Sequence, residues 1–278
     1  MNSYSEIFFK SFSQSIQEAC ESCIETDGEP SAAMIAPCLD SAYDKWLSEK
    51  LPEIAETPAE YLDGISFDEM KEMFSCGVSI CDDDLPAIFV NKLSSFGDEA
   101  VDFLIDIVNN KTEVLNEDGA ILAAMAARVL GRFKAVKAVL PLISALESSA
   151  GTTELIAEAV RDALIEIGPA AVEYILPGLN SGKYSDGACE YILMSLAAIG
   201  KCGRSEEIYL AIKKAFNELS DKALTASCLA EYGDGRAIPA LRGYLLKNGA
   251  TIDTMAFYDI VAAVRQLGGR IDDLKQVR

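Results

Sequence analysis

Three groups of residues have the types and spacing to do chemistry. Cys20-x2-Cys23 together with Cys76-x4-Cys81 offers four thiolates, the donor set of a structural zinc site. Carboxylates recur close together, as at Glu53/Glu56 and Asp68/Glu69/Glu72. Oxygen donors also cluster in Asp82-Asp83-Asp84 and in Asn116-Glu117-Asp118-Gly119. Each group has a plainer reading. Cys20 and Cys23 fall on the apolar stripe of a predicted helix, where a thiol serves as a small buried hydrophobe. A redox Cys-x-x-Cys needs a strand–helix context that this stretch lacks. The carboxylate pairs read as a solvated face in a chain with 44 acidic and 24 basic side chains. The two acidic runs lack the alternating ligands and downstream Glu of a calcium loop. Asp82-Asp83-Asp84, placed before Leu85-Pro86, instead reads as a helix start with acids at the positive end of the dipole.

What is missing narrows the chemistry further. The 278 residues contain no histidine, which removes the commonest general base, metal ligand and near-neutral switch. No phosphate-cradling glycine loop and no nucleophile elbow is present. The expectation is a protein with no catalytic residues and no cofactor. A net charge of −20 opposes nucleic-acid binding, which requires basic surface. No run approaches the ~20 apolar residues of a spanning helix, and the N-terminus lacks the basic region of a signal peptide. The eight cysteines are therefore expected as reduced thiols in a cytoplasmic protein.

Half the residues are hydrophobic and mean hydropathy is +0.16, so the chain can bury a substantial core. Its charge is uneven. Residues 1–83 hold 18 acids against 4 bases, whereas residues 84–278 hold 26 against 20. That asymmetry divides the chain into an acidic helical N-terminal region, 1–83, and a second region, 84–278. In the first, predicted helices run from Ile7 to Cys23, over Ala32–Lys50, from Pro58 onward and through Phe67–Phe74. Gly28-Glu29-Pro30 breaks the first of them and Gly77 stops the last. This region is either an end cap or a separate module whose acidic face meets a basic partner.

The second region repeats. A helix-like stretch ends near a glycine, a short turn follows, and a second stretch begins Ala-Val-x-x-Leu or similarly. The marker glycines are Gly97, Gly131, Gly168, Gly200, Gly233 and Gly268, at intervals of 34, 37, 32, 33 and 35. Such a period marks stacked helical hairpins. A first helix over 120–130 is expected to end at Gly131 in the left-handed conformation. A second starts near Val136 and carries Val139, Leu142, Ile143 and Leu146 on one stripe. Asp98 and Asp234 can cap their helices. Pro169 and Pro239 fall early in theirs, whereas Pro141 and Pro177 lie deep enough to kink. Neither helix of a pair can bury its stripe alone, so the expected fold is all-α: an α-α superhelix of about five repeats plus a terminal half-repeat, with an N-terminal helical cap.

The segment Gly233-Asp234-Gly235-Arg236-Ala237-Ile238-Pro239-Ala240-Leu241, and with it Gly131 to Leu146, resembles the HEAT-like, armadillo-like repeat first described in phycobilisome lyases. The resemblance covers roughly residues 84–270. It implies a solenoid whose second helices line the concave face, and it admits several functions. A bilin lyase or chaperone is one of them. A DNA-repair glycosylase of similar repeats would need a basic channel, and the deoxyhypusine hydroxylases would need His-Glu metal pairs. Both requirements fail here.

Aligning the units on that implication gives two outward rows. Asp102, Leu140, Glu173, Tyr209 and Pro239 form one; Asp106, Ser144, Pro177, Lys213 and Gly243 form the next. The candidate partner-binding residues are Asp102, Asp106, Glu173, Tyr209, Lys213 and Tyr244, with Tyr174, Tyr209 and Tyr244 as possible aromatic anchors. Arg128, Arg161 and Arg236 are expected to pair with Asp98 or Asp234 as an inter-repeat ladder. The function expected from these features is a non-enzymatic protein-interaction scaffold that docks a protein or peptide, a basic one suiting its charge, with no nucleic acid and no membrane as partner.

Overall fold

A computed structural model describes residues 3–24, 32–81, 84–112, 117–149 and 154–274. The expected break at Gly28-Glu29-Pro30, Asp82 and Asp83 of the acidic run, and Asn116 lie outside them. The described residues contain fifteen α-helices, two short 3-10 stretches and no strand. None of these helices is long and apolar enough to cross a membrane.

Helices α1 (Ser3–Ile24) and α2 (Ala32–Ser48) form an antiparallel pair. Its register is fixed where Trp46 Nε1 donates to Ser11 Oγ at 3.0 Å and Ser15 Oγ donates to the Ala42 carbonyl at 3.3 Å. Helices α3 (Pro58–Asp63) and α4 (Phe67–Ile80) each begin with a reciprocal capping box, Thr57 with Glu60 and Ser66 with Glu69. The hydrogen bonds from the caps hold both glutamate carboxyls below the ordinary carboxylate range. Helix α5 (Ala87–Ser94) follows. Phe9 of α1 meets Phe89 of α5 edge-on at 5.2 Å, and one hydrophobic core runs without interruption from Phe8 to Leu274.

From α5 onward the helices alternate. Helix α6 (Asp98–Thr112) is followed by α7 (Glu117–Arg132) and α8 (Val139–Ser149), then α9 (Glu154–Ile167) and α10 (Pro169–Asn180). Next come α11 (Asp186–Cys202) and α12 (Glu206–Glu218), α13 (Lys222–Tyr232) and α14 (Ile238–Asn248), and finally α15 (Thr254–Gln266). Helices α7, α9, α11, α13 and α15 pack each on the next as one layer, and α6, α8, α10 and α12 do so as a second. The predicted stripe of α8, with Val139, Leu142, Ile143 and Leu146, is buried between them.

The marker glycines do two different jobs. Gly97, Gly168, Gly233 and Gly268 adopt positive φ. Gly233 does so as the left-handed C-cap of α13. Gly131 and Gly200 do not: they lie inside α7 and α11, and the left-handed residue of the α7–α8 turn is Lys134, at φ 49°. What these two supply is space. A Cβ on Gly131 would lie 2.7 Å from the Ala163 Cα in α9, and one on Gly200 would lie 2.6 Å from the Tyr232 ring in α13. Gly77 likewise does not stop α4. It sits within the helix, and a Cβ there would meet Leu85 and Phe9 at 2.7 Å. The prolines are also partly reassigned. Pro169 and Pro239 fall in first turns as expected. Pro141 does too, because α8 begins at Val139, whereas Pro177 lies inside α10.

Replacing an interior helical glycine by alanine ordinarily stabilises a protein by about 0.5–1 kcal/mol. Gly131→Ala should reverse that sign. The contact is with backbone, which cannot rotate away, so overpacking should cost about 1–3 kcal/mol. Gly243→Ala, inside α14, is the control, since nothing lies within 4 Å of its added Cβ. Urea unfolding of both variants checks this, and equal midpoints would contradict it.

Candidate partner-binding surface

Helices α8, α10, α12 and α14 carry one face into the core and the other outward. In α12, Ile208, Tyr209, Ile212 and Phe216 are buried, and Glu206, Leu210 and Lys214 are exposed. Each of these four helices shows one large apolar side chain to solvent: Leu140 (55% exposed), Tyr174 (38%), Leu210 (52%) and Leu246 (54%). A groove of about 480 Å³ separates α10 from α12. Leu176, Pro177, Leu210 and Ala211 form its apolar walls, and Glu173, Glu207 and Lys214 line it with charge. Lys214 Nζ also donates to the Asn180 carbonyl at 2.9 Å, closing the C-terminal end of α10.

The expected site residues separate on this surface. Asp102 and Asp106 are exposed on α6, and Asp102 is ion-paired with Lys137 of the next unit. Glu173 is exposed in the groove. Tyr209 is not an outward residue: it is 2% exposed. The expected register is one residue off in this unit, because α11 continues through Gly200 and the turn falls at Gly203–Ser205. Leu210 stands outward in its place. Tyr209 instead packs under the Arg236 guanidinium, 4.3 Å from its ring centre. Its buried hydroxyl has no hydrogen-bond partner, and desolvation raises its pKa. Lys213 is half-buried over the same ring at 5.7 Å. Tyr244 is half-buried, edge-on to Phe216 at 5.6 Å, so of the three tyrosines proposed as anchors Tyr174 alone is exposed.

The four cysteines weighed as an alternative zinc set are not gathered. Cys76 is buried in α4, where desolvation raises its pKa, with the nearby Glu6 charge adding to the effect. Cys23 lies 17 residues beyond Glu6 along α1, roughly 25 Å at helical rise. There it hydrogen-bonds Cys38 of α2, which raises its pKa. Among the described residues no group of three or more His, Cys, Asp or Glu is placed to hold a metal.

Charged rungs join several of the units, in part through other residues than expected. Arg161 turns to its neighbour Asp162 at 2.8 Å. Arg236 keeps its expected partner, Asp234, and also spans to Glu206 of the preceding unit, both at 2.7 Å. The further rungs are Arg132–Asp84, Lys137–Asp102, Lys201–Glu231 and Arg242–Asp273. Pairs this exposed contribute about 0–1 kcal/mol each, so their effect is on register more than on net stability. Four of these pairs set a base and an acid 30 to 35 residues apart, one repeat length, whereas Arg132 and Asp84 are 48 apart and outside that spacing.

Comparison with protein-family models, with curated proteins and with solved structures finds no match. The fold therefore defines the class: an all-α protein built of helical hairpins in two packed layers.

The Arg236 cluster sets a pH dependence. Hydrogen bonds from Arg236 hold the Asp234 and Glu206 carboxyls below their ordinary range. Their stabilisation is present above the unfolded carboxylate values and is lost as pH falls through the lower folded ones. Arg236→Gln should therefore be less stable than the parent at neutral pH. The gap should shrink between about pH 5 and pH 2, as followed by circular dichroism. A gap independent of pH would contradict the assignment.

Proposed function

We propose that this protein is a non-enzymatic interaction scaffold that docks a protein or peptide on the outward face of α8, α10, α12 and α14, and that its hairpins are HEAT-like repeats. The observation that carries this reading is the run of exposed apolar side chains, Leu140, Tyr174, Leu210 and Leu246, one on each of those helices. Single exposed apolar residues are ordinary on protein surfaces. One on each of four second helices of successive hairpins, beside a groove of about 480 Å³, supports a surface that a partner covers. Glu173 and Glu207 at that groove favour a partner that sets basic residues beside its apolar anchors. The net charge of −20 disfavours nucleic acid in the same role. The N-terminal helices serve as the end cap that such a stack requires. Interior thiols at Cys76, Cys189 and Cys228 suit the reducing cytoplasm.

Selection from a random peptide display library tests the reading. Binders should be recovered on the intact protein, should combine apolar and basic residues, and should be lost on a Leu140→Glu/Leu210→Glu variant. A Met255→Glu variant, altered at an exposed residue of α15, should retain them. Peptides that bind all three proteins alike, or no enrichment on any, would refute it.

A further inference from the structure

We propose that the cleft where the N-terminal helices meet the first repeat is a binding site for a small amphipathic cation, an apolar body carrying one protonated amine. The cleft encloses about 400 Å³, within the range of small-molecule sites. Its wall is assembled from helices far apart in sequence. Phe12 and Ile16 lie one turn apart on α1, Leu39 and Tyr43 on α2, Val90 on α5, and Phe133 just after α7. Such a concave apolar surface with few polar groups takes up an apolar body of a few carbons or one ring.

The rim decides the sign of the ligand's charge. Two carboxylates, Asp40 and Asp84, face the cleft with one base, Arg132. Arg132 is ion-paired with Asp84. Among the described residues no basic side chain pairs with Asp40, which is exposed at the mouth. The rim thus holds one uncompensated negative charge beside an apolar floor. It lies next to a region with 18 acids and 4 bases, whose field raises the local concentration of cations. An anion of the same shape would meet that charge unscreened.

The site is also held in shape before any ligand arrives. The Ile88 N–H donates to Tyr43 Oη at 2.8 Å, which ties α2 to the start of α5, where Pro86 provides no side-chain cap. Behind Tyr43, Trp46 stacks on it at 5.8 Å and lies 5.2 Å from Phe12. Preformed walls reduce the ordering cost of binding. Trp46 is the chain's one tryptophan, so its emission reports on this cleft alone.

The test uses the full chain and a matched pair of probes, 4-phenylbutylamine and 4-phenylbutyrate, which share one apolar body and carry opposite charges. The amine should saturate a change in Trp46 emission, with a matching calorimetric isotherm, and the carboxylate should not. Asp40→Asn should weaken the amine roughly tenfold, the effect of losing one charge-assisted contact. Ala87→Phe, which fills the cleft from α5, should abolish binding. If Ala87→Phe lowers the melting temperature, the Asp40→Asn result decides alone, because Asp40 is exposed and its change leaves the packing intact. A non-saturating amine, equal binding of both probes, or an unchanged affinity in Asp40→Asn would overturn the proposal.

Discussion

Helices α7 and α9 meet backbone against backbone. Gly131 leaves α7 so near its neighbour that a single added carbon would sit 2.7 Å from the Ala163 Cα. Around this point lie Ala123, Ala126, Ala127, Ala159 and Ala163, all buried. Small residues on facing helices let the axes approach, and the larger side chains beside them then fill the interior at close-packed density. Gly200 repeats the device against Tyr232, whose hydroxyl donates to the Ser205 carbonyl at 2.8 Å. Both glycines seat neighbouring helices of one layer closely, α7 on α9 and α11 on α13, and the other layer is more openly spaced.

That spacing is what leaves a surface available. Where α7, α9, α11, α13 and α15 sit close, α10 and α12 stand far enough apart to hold a groove. The charged rungs are exposed and individually weak; they join α7–α8 to the unit before it, α11–α12 to α13–α14, and α14 to Asp273, and there they oppose sliding of one hairpin on the next. Packing in one layer and the rungs between units set the frame on which α8, α10, α12 and α14 each present an exposed apolar side chain. The N-terminal helices join this arrangement through the Phe9–Phe89 contact and a shared core, and the cleft beside Tyr43 is formed by that junction.

Much of this was legible in the sequence. The glycine period of 32–37 residues predicts the hairpins, and the stripe of Val139, Leu142, Ile143 and Leu146 predicts what α8 buries. The errors come from residues that look alike and act differently. Gly200 and Gly233 occupy the same place in the repeat, yet one provides clearance inside α11 and the other a left-handed turn. Treating them as equivalent set α12 out of register by one residue, which exchanged buried Tyr209 for exposed Leu210. The ladder and the junction cleft were hidden for another reason. Their members come from separate units, and no local pattern records which acid will stand opposite which base.

The central claim is that partners meet the face carrying Leu210 and Leu140, not the opposite layer. Site-specific photocrosslinking in cells tests it directly, with a benzophenone amino acid placed at position 210, at 140, or at 121 in α7, where Ile121 is also exposed. The account predicts covalent adducts to a common partner from 210 and 140 and none from 121. Adducts from 121 alone, or from no position, would contradict it.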